Sequence, residues 1–305
     1  MPAPPYGEIK DLLNAGNVVP FLGAGCSKAG RPPNVTWSDP ACPYPPTGAE
    51  LARFLATKSN FPHAHEHEVA DLAKVASYFV ETASRRRLKE RLSEVFDRDF
   101  QPSEVHNLLA EIPAPLLIFT TNYDDLTERV FRHAGKPFDL VVHPTDRKDI
   151  AASILWWKHG EAEPIAETPN RLFIDLSKTT VIYKMHGTVD RTAKRWDSYV
   201  ITEDDYVDFL SRMIAQSAIP AIFLRHLQTR HFLFLGYGLN DWNLRVILKG
   251  LDASEAEAQA EEDEDRKSWA IQYQPSDFEV ELWRARQVRI YDLSLEEFVG
   301  RLRGA

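Results

Sequence analysis

Asn17-Val-Val-Pro-Phe-Leu22 is a short apolar run that ends directly at the turn Gly23-Ala-Gly-Cys-Ser27. A run of this length, apolar on both faces and stopped by glycine, is typical of a buried parallel strand that feeds a tight turn. Helical patterns alternate with five similar runs, at 116–120, 180–185, 231–235, 269–273 and 288–292. The alternation predicts an α/β fold with a Rossmann-like parallel sheet of about six strands.

The segment 47–110 departs from this alternation because it contains no strand signal. Residues 68–96 within it carry the apolar stripes of two helices, so we predict a helical module inserted between the first two strands. Two later stretches also interrupt the pattern: a polar excursion at 146–170 and an acidic flexible tract at 252–266. We predict that all of them belong to one domain, residues 1–305.

The charge of the chain is concentrated in one place. Its 305 residues include 36 Lys and Arg against 45 Asp and Glu, which gives 36 − 45 = −9. The tract from Asp252 to Asp265 holds eight acids and no base, so the remainder of the chain carries −9 + 8 = −1. Neither value suits a protein that grips nucleic-acid phosphates, and we expect no direct nucleic-acid binding.

Cysteine content and the absence of targeting signals restrict the class of protein further. Cys26 and Cys42 are the only cysteines, too few for a disulfide scaffold or for a zinc site with four cysteine ligands. The N-terminus lacks the basic start and apolar core of a signal peptide. No apolar run reaches the roughly 20 residues that cross a bilayer. We therefore expect a cytoplasmic protein without membrane contact.

Four short motifs follow predicted strands. In open α/β sheets, ligands bind outside the carboxyl ends of the strands, so these motifs are expected to meet at one edge. They are Gly23-Ala-Gly-Cys-Ser27, Thr120-Thr-Asn-Tyr-Asp124, Lys184-Met-His-Gly187 and Gly236-Tyr-Gly238.

The glycine turn and the amide that follows the second strand are candidate ligand-binding groups. Gly23 and Gly25 would let backbone N–H groups approach a pyrophosphate, with Ser27 as a further donor. A tight structural turn explains the same glycines equally well, because Lys28 replaces the usual third glycine. Asn122 can fix a ribose hydroxyl or a water, because its amide both donates and accepts.

The remaining polar candidates each have a structural alternative. Asp124 is either a binding residue or simply the N-cap of the following helix. His186, beside Gly187 at a strand end, is either catalytic or structural. His63, His65 and His67 alternate as metal ligands can, but their proline and acidic neighbours favour a solvated loop, and we expect no metal.

In this order the four motifs resemble the sirtuin superfamily. The GAG-x-S turn is at 23–27, the T-x-N-x-D element at 120–124, the HG pair at 186–187 and the later glycine element at 236–238. The resemblance implies that NAD+ binds here and that Asn122 and His186 are catalytic. It assigns the contacts with NAD+ to Gly23, Ala24, Gly25, Ser27, Thr121, Asp124, Gly236, Tyr237 and Gly238.

Departures from the sirtuin pattern narrow the resemblance. Deacylating sirtuins hold a small zinc module with four cysteines, which this chain cannot supply. Tyr123, where sirtuins usually carry isoleucine, and the helical insert are similar to the sirtuin-like NADases of bacterial antiphage defence. This resemblance implies an NAD+ glycohydrolase that takes NAD+ as substrate, needs no metal and depletes cellular NAD+ on infection. It also implies a homo-oligomer or a separate sensor or activator subunit.

Two other functions remain open at the level of sequence. One is an NAD-dependent protein deacylase, and the other is a non-enzymatic sensor that binds NAD+ or ADP-ribose. Within the NADase hypothesis, the residues do not decide between hydrolysis and cyclisation of the ADP-ribosyl group.

Overall fold

The computed structural model describes residues 3–32, 34–37, 42–62, 65–145, 150, 152–192, 194–214, 218–237 and 267–305. Three features predicted from the sequence lie outside these residues: Gly238, His63 and the acidic tract 252–266. Residues 146–149 and 151 of the polar excursion also lie outside them.

Nine strands in the described part of the chain form one mixed sheet. They are β1 (Val18–Leu22), β2 (Leu117–Thr120), β3 (Phe138–Val142), β4 (Ile154–Trp157), β5 (Ile165–Glu167), β6 (Thr180–Lys184), β9 (His231–Leu235), β10 (Ser268–Gln272) and β11 (Val288–Asp292). A separate two-stranded ribbon consists of β7 (Gly187–Thr188) and β8 (Ser198–Tyr199). The order across the sheet is β11-β10-β9-β1-β2-β6-β3-β4-β5.

The predicted α/β class is confirmed, and each of the six predicted strands is present within one residue of its expected bounds. The seven strands from β11 to β3 are mutually parallel, while β4 and β5 add to the edge in antiparallel pairing. The sheet is larger than predicted because β3, β4 and β5 were not expected. Two of these three, β4 and β5, fall inside the stretch 146–170.

Hydrophobic pattern alone does not reveal an edge strand such as β5. Ile165 and Ala166 are exposed, so backbone pairing with β4 rather than burial of side chains defines this strand. Asp139 interrupts the apolar run of β3, and its carboxylate accepts hydrogen bonds from the Trp156 indole at 2.8 Å and the His159 amide at 2.9 Å. Such a partner is visible only once the chain is folded.

Helices cover both faces of the sheet. They are α1 (Tyr6–Asn14), α2 (Ala24–Lys28), α3 (Gly48–Ser59), α4 (Glu66–Val69), α5 (Leu72–Thr82), α6 (Arg85–Phe96), α7 (Glu104–Glu111), α8 (Leu126–His133), α9 (Glu203–Ile214), α10 (Ala221–Thr229), α11 (Asp277–Arg284) and α12 (Leu295–Gly304). No helix in the described ranges is long and apolar enough to cross a membrane. Alternate residues of β1 point into different cores, Val19 and Phe21 into one, Val18 and Leu22 into the other.

The helices α3 to α7 lie between β1 and β2 in the chain, as the inserted module predicts. Helices α3 to α6 build a third core, in which Leu51, Leu55 and Phe79 are buried, while the buried residues of α7 belong to one of the cores against the sheet. Tyr123 and Tyr199 belong to the third core. Because Tyr123 directly follows Asn122, this packing joins the helical module to the carboxyl edge of the sheet.

The position of β1 opens a crevice at that edge. β1 pairs with β2 on one side and with β9 on the other, so the order of strands reverses at β1. At such a switch point the connections leave in opposite directions and open a crevice outside the carboxyl ends. Gly23, Thr121 and Gly236 each directly follow one of these three strands.

Candidate active site

A cavity of about 150 Å³ opens at the carboxyl edge of β1, β2 and β6. Register brings these strand ends level, since Leu22 pairs with Thr120 and Thr120 pairs with Lys184. Six of the residues predicted from the sequence line this cavity: Ala24, Ser27, Thr121, Asn122, Asp124 and His186. Residues from three separate motifs therefore meet in one place.

The side-chain amide of Asn122 is held in a defined orientation. Its Nδ2 lies 3.0 Å from the carbonyl oxygen of Gly23 and 3.0 Å from Ser27 Oγ. The contact with Gly23 identifies Nδ2, because a carbonyl oxygen can only accept a hydrogen bond. The backbone N–H of Asn122 donates to Thr120 Oγ1 at 3.0 Å. The amide oxygen is then the acceptor that Asn122 offers to a water or a ribose hydroxyl.

Asp124 is hydrogen-bonded both to the glycine turn and to the start of α8. Its Oδ2 accepts a hydrogen bond from Ser27 Oγ at 2.8 Å, while Oδ1 accepts one from the Leu126 N–H at 3.2 Å. The second bond satisfies a backbone donor at the start of α8, but the N-cap of this helix is Asp125, so the N-cap predicted at Asp124 is one residue too early. Both Ser27 and Asp124 are buried, so the hydroxyl is fixed between the carboxylate and the amide of Asn122.

His186 follows β6 and is buried, with Tyr206 and Phe209 edge-on to its ring at centroid distances of 5.5 and 5.8 Å. A second histidine, His143, follows β3 on the adjacent strand and contacts the same Phe209 ring. Burial, the guanidinium of Arg212 and the neighbouring His186 hold the pKa of His143 well below its ordinary value. Sequence reasoning missed His143, because its strand was not predicted.

The glycines of the first and fourth motifs pack against each other. A Cβ on Gly23 or Gly25 would lie 2.5 or 2.8 Å from the carbonyl oxygen of Gly236. The N–H of Gly25 donates to that oxygen at 2.9 Å, and the N–H of Gly23 donates to Leu235 at 3.2 Å. These two donors are engaged within the protein, so the start of α2 at Ala24 is the exposed part of the turn.

Gly236 and Tyr237 of the last predicted motif lie behind the cavity rather than in its wall. Tyr237 is buried and packs against Phe21 and Phe234 at ring distances of 6.5 and 6.2 Å. Gly238 is outside the described residues. The described part of this motif therefore supports the glycine turn from beneath.

The opposite wall of the cavity comes from the helical module. It consists of Pro46, Thr47, Gly48, Leu51, Leu72 and Phe96, with Tyr123 and Tyr206 beside them. Sequence reasoning did not select these residues, because apolar positions on a helix look alike whether they line a core or a cavity. An amphipathic stripe carries no signal that separates the two.

Glu50 fixes the start of α3 over the cavity. Its carboxylate accepts hydrogen bonds from the Arg31 guanidinium at 2.9 to 3.1 Å, from the backbone and hydroxyl of Thr47 at 2.8 and 3.0 Å, and from the Trp37 N–H at 3.2 Å. Burial raises the pKa of Glu50, but the bonds from Arg31, Thr47 and Trp37 outweigh it, and the pKa lies below its ordinary 4.5.

Replacing Glu50 by glutamine is expected to lower the free energy of unfolding at pH 7 by about 2 kcal/mol, because Arg31 loses a buried counter-charge. A carboxyl whose pKa is depressed by folding stabilises the protein above its unfolded pKa and loses that contribution as pH falls. The difference between wild type and Glu50→Gln should therefore shrink below about pH 4.5. Urea denaturation at pH 7 and at acidic pH measures it.

The matched control for this prediction is Glu66→Gln. Glu66 also pairs with an arginine, Arg53, at 2.8 Å, but its side chain is 75% exposed. An exposed pair contributes about 0–1 kcal/mol, so this variant should unfold like the wild type. Equal losses in the two glutamine variants would contradict the role given to Glu50.

Cys26 and His106 lie close together beneath the glycine turn without forming a reactive pair. Cys26 Sγ is 3.7 Å from His106 Nε2, and His106 Nδ1 accepts from the Ser103 N–H at 3.1 Å. Burial and the charge of Asp124 raise the pKa of the Cys26 thiol, while burial lowers the pKa of His106 to about 4. A neutral thiol sealed from solvent is a packing group, not a nucleophile.

The described residues contain no group of three or more His, Cys, Asp or Glu that could hold a metal ion. The rings of His65 and His67 stack at 5.4 Å, and His63 lies outside those residues.

Similar proteins are known among bacterial NAD+ hydrolases. The NAD(+) hydrolase ThsA of Acinetobacter baumannii is 30% identical over 77% of this chain and 39% of its own length. ThsA of Enterococcus faecium is 29% identical over 80% of this chain and 42% of its own length. The defense-associated sirtuin 2 of Bacillus subtilis is 22% identical over 79% of this chain and 20% of its own.

The chain thus spans about two fifths of the length of the ThsA proteins it matches. A family model described as the SIR2-like domain matches residues 116–291, which include Asn122, His186 and Gly236. This match covers more than half of the chain and confirms the resemblance to sirtuins. The chain therefore belongs to the SIR2-like domain family.

Proposed function

We propose that this protein is an NAD+ glycohydrolase, which cleaves NAD+ to nicotinamide and ADP-ribose. The observation that carries the proposal is the cavity at the carboxyl edge of the sheet, where Asn122, Ser27, Asp124 and His186 meet. The similarity of the chain to proteins named NAD(+) hydrolase supports the choice of NAD+ as substrate.

The cavity suits one end of the dinucleotide. Its volume of about 150 Å³ is below the ~300–1,000 Å³ typical of sites that enclose a whole ligand. We assign the nicotinamide ribose to this cavity, facing Asn122 and His186. The pyrophosphate would lie at the start of α2, beside the exposed Ala24 of the glycine turn, where the N-terminus of the helix favours negative charge.

In the proposed reaction the bond between C1′ and the nicotinamide nitrogen breaks, and its electron pair leaves with neutral nicotinamide. Positive charge develops on C1′, and a water oxygen then bonds to that carbon. His186 acts as general base, toward a ribose hydroxyl or the water, and the proton passes to solvent. Asn122 orients the water and the ribose through its fixed amide.

Asp124 and Ser27 would orient the substrate around this centre. The carboxylate of Asp124 retains lone pairs beyond those used by Ser27 and Leu126, so it can accept from the carboxamide of nicotinamide. Ser27 links Asp124 to Asn122 and would transmit the position of one to the other.

The biological role that we propose is an effector of antiphage defence that depletes cellular NAD+ when infection is sensed. Similarity to the defense-associated sirtuin 2 of Bacillus subtilis supports this role. An NADase of this kind must be restrained until it is needed, and we propose control by self-assembly or by a separate sensor subunit. If the protein is fully active while its measured mass is that of a monomer with no partner bound, this form of regulation is contradicted.

The test of the activity is product analysis. Purified protein is incubated with NAD+, with and without candidate activators, and nicotinamide, ADP-ribose and cyclic ADP-ribose are separated by chromatography. Equimolar nicotinamide and ADP-ribose are expected. Release of O-acetyl-ADP-ribose only with an acetyl-lysine peptide would indicate a deacylase instead. Tight binding of NAD+ without turnover under every condition would indicate a sensor.

A further inference from the structure

Lys184 is a lysine buried inside the central sheet. It is the last residue of β6, and its side chain has no solvent-exposed surface. The other residues of this strand, at 180–183, suit a sheet interior, but lysine is almost never fully buried unless it is paired. The partners of its ammonium group therefore indicate what it does.

The ammonium group has three acceptors on two elements. Nζ lies 2.9 Å from Glu128 Oε1 in α8 and 3.3 Å from the carbonyl oxygen of Tyr123, and it also donates to the carbonyl oxygen of Asp124. An ammonium has three protons, so this set can use all of them. Two of the three acceptors belong to the loop that directly follows Asn122.

Stability alone does not account for this arrangement. Glu128 is also buried, with 3% of its side chain exposed, so both charges have been removed from water. Replacing a buried ion pair by apolar side chains of similar volume is often neutral or stabilising, because the desolvation penalty disappears. A lysine in this position is therefore better explained by the geometry that it imposes on the loop.

We propose that Lys184 is the positioning residue that sets the 121–125 loop relative to His186. Lys184 ends β6 two residues before His186, while its ammonium holds the carbonyls of Tyr123 and Asp124. The same lysine thus connects the backbone that carries His186 with the backbone that carries Asn122. The inference rests on the proposed function, which gives Asn122 and His186 their roles.

Without the ammonium, backbone hydrogen bonds to Thr120 and Tyr123 would still hold the 121–125 loop, but they would not hold the carbonyl of Asp124. Met185 N–H donates to Thr120 at 2.9 Å where the loop begins, and Val189 N–H donates to the carbonyl of Tyr123 at 3.0 Å. The carbonyl of Asp124 has the ammonium of Lys184 as its partner. Loss of the ammonium would leave that buried carbonyl unsatisfied and release the loop at Asp124.

The test is the double variant Lys184→Met with Glu128→Leu, in which neither charge is left unpaired. Its melting temperature is expected to stay within about 5 °C of the wild type. Amide hydrogen exchange at 121–125 should accelerate by about tenfold or more, with 117–120 in β2 unchanged. The kcat for NAD+ should fall by about 10- to 100-fold, while the Kd for ADP-ribose changes by less than about threefold.

Tyr183→Phe is the matched control. Tyr183 precedes Lys184 in β6 and is equally buried, but its hydroxyl donates to Ala218 at 2.6 Å, away from the 121–125 loop. This variant should leave both loop exchange and kcat unchanged. It separates an effect of the Lys184 contact from a general effect of altering β6.

If the double variant folds and its amide hydrogen exchange at 121–125 is as slow as in the wild type, the proposal is overturned, whatever the activity of the variant. If that double variant does not fold, Lys184→Met with Glu128→Gln carries the test, since it also removes the ammonium and leaves no charge unpaired. Accelerated exchange at 121–125 in this second double variant supports the proposal, and unchanged exchange overturns it. A wild type that neither binds nor cleaves NAD+ refutes the proposed function, while the exchange measurement still decides the role of Lys184.

Discussion

Replacing His186 by alanine is expected to lower kcat for NAD+ cleavage by about 10²- to 10⁴-fold, the range that a positioned general base contributes. The imidazole is buried in the cavity wall beside Tyr206 and Phe209. Binding of ADP-ribose should change little, because a base acts in the transition state more than in the bound ground state.

Asn122→Ala is expected to lower kcat by about 10²-fold, because the water and ribose lose their orienting group. The substitution also removes the bonds that hold Asn122 to Gly23 and Ser27. Asn122→Asp is nearly isosteric, but it removes the Nδ2 donor and adds a charge close to Ser27 and Asp124. We expect it to be as inactive as the alanine variant.

Controls for these variants come from the same residue types elsewhere on the chain. His133 lies exposed in the last turn of α8, and Asn107 hydrogen-bonds Glu104 at the surface. His133→Ala and Asn107→Ala should retain wild-type turnover. Rates of nicotinamide release, measured beside melting temperatures for all five variants, check the prediction. Undiminished turnover in His186→Ala or Asn122→Ala would remove that residue from the mechanism.

The second large effect is expected from Gly187→Ala. Gly187 has φ +89°, a backbone conformation that L side chains rarely adopt, and a Cβ there would lie 2.0 Å from the carbonyl oxygen of Ser198. A side-chain rotation cannot relieve this clash, because the obstructing atom belongs to the backbone. The pairing of Gly187 with Tyr199 and the bond from Val200 N–H to the His186 carbonyl must therefore shift. We expect a loss of about 3–5 kcal/mol in unfolding free energy.

Gly160→Ala separates backbone strain from the clash. Gly160 has φ +84°, close to that of Gly187, but a Cβ there meets nothing within 4 Å. It should lose only about 1–2 kcal/mol, the cost of the left-handed conformation alone. Chemical denaturation of both variants measures the difference. Equal losses in the two would show that crowding at Ser198 does not constrain the position of His186.

The fold class was accessible from the sequence because its signals are local. The runs that became β1, β2 and β9 are apolar on both faces, and each ends at a glycine or a polar motif, as at Leu22–Gly23. The candidate site was accessible for a related reason. Parallel strands end at the same edge, so Asn122 and His186 could be expected to meet although they are far apart in the chain.

The other features depend on contacts between segments that are distant in sequence. β5 is held by backbone pairing with β4 at the edge of the sheet. Its Ile165 is exposed, so no pattern of buried apolar residues marks this strand in the sequence. Leu72 and Phe96 form a cavity wall only because the helical module packs on the carboxyl edge. His143 joins the environment of His186 because β3 lies beside β6.

The α/β class, the central strands and the residues that meet at their carboxyl ends follow from the sequence, because burial and turn chemistry depend on neighbouring residues. How those residues are held depends on contacts that form only in the folded chain. The tertiary structure brings Gly23 and Gly25 against Gly236 and places the ammonium of Lys184 on the carbonyls of Tyr123 and Asp124. A backbone carbonyl has no signature in the sequence, so a side chain that binds one becomes visible only when the chain has folded.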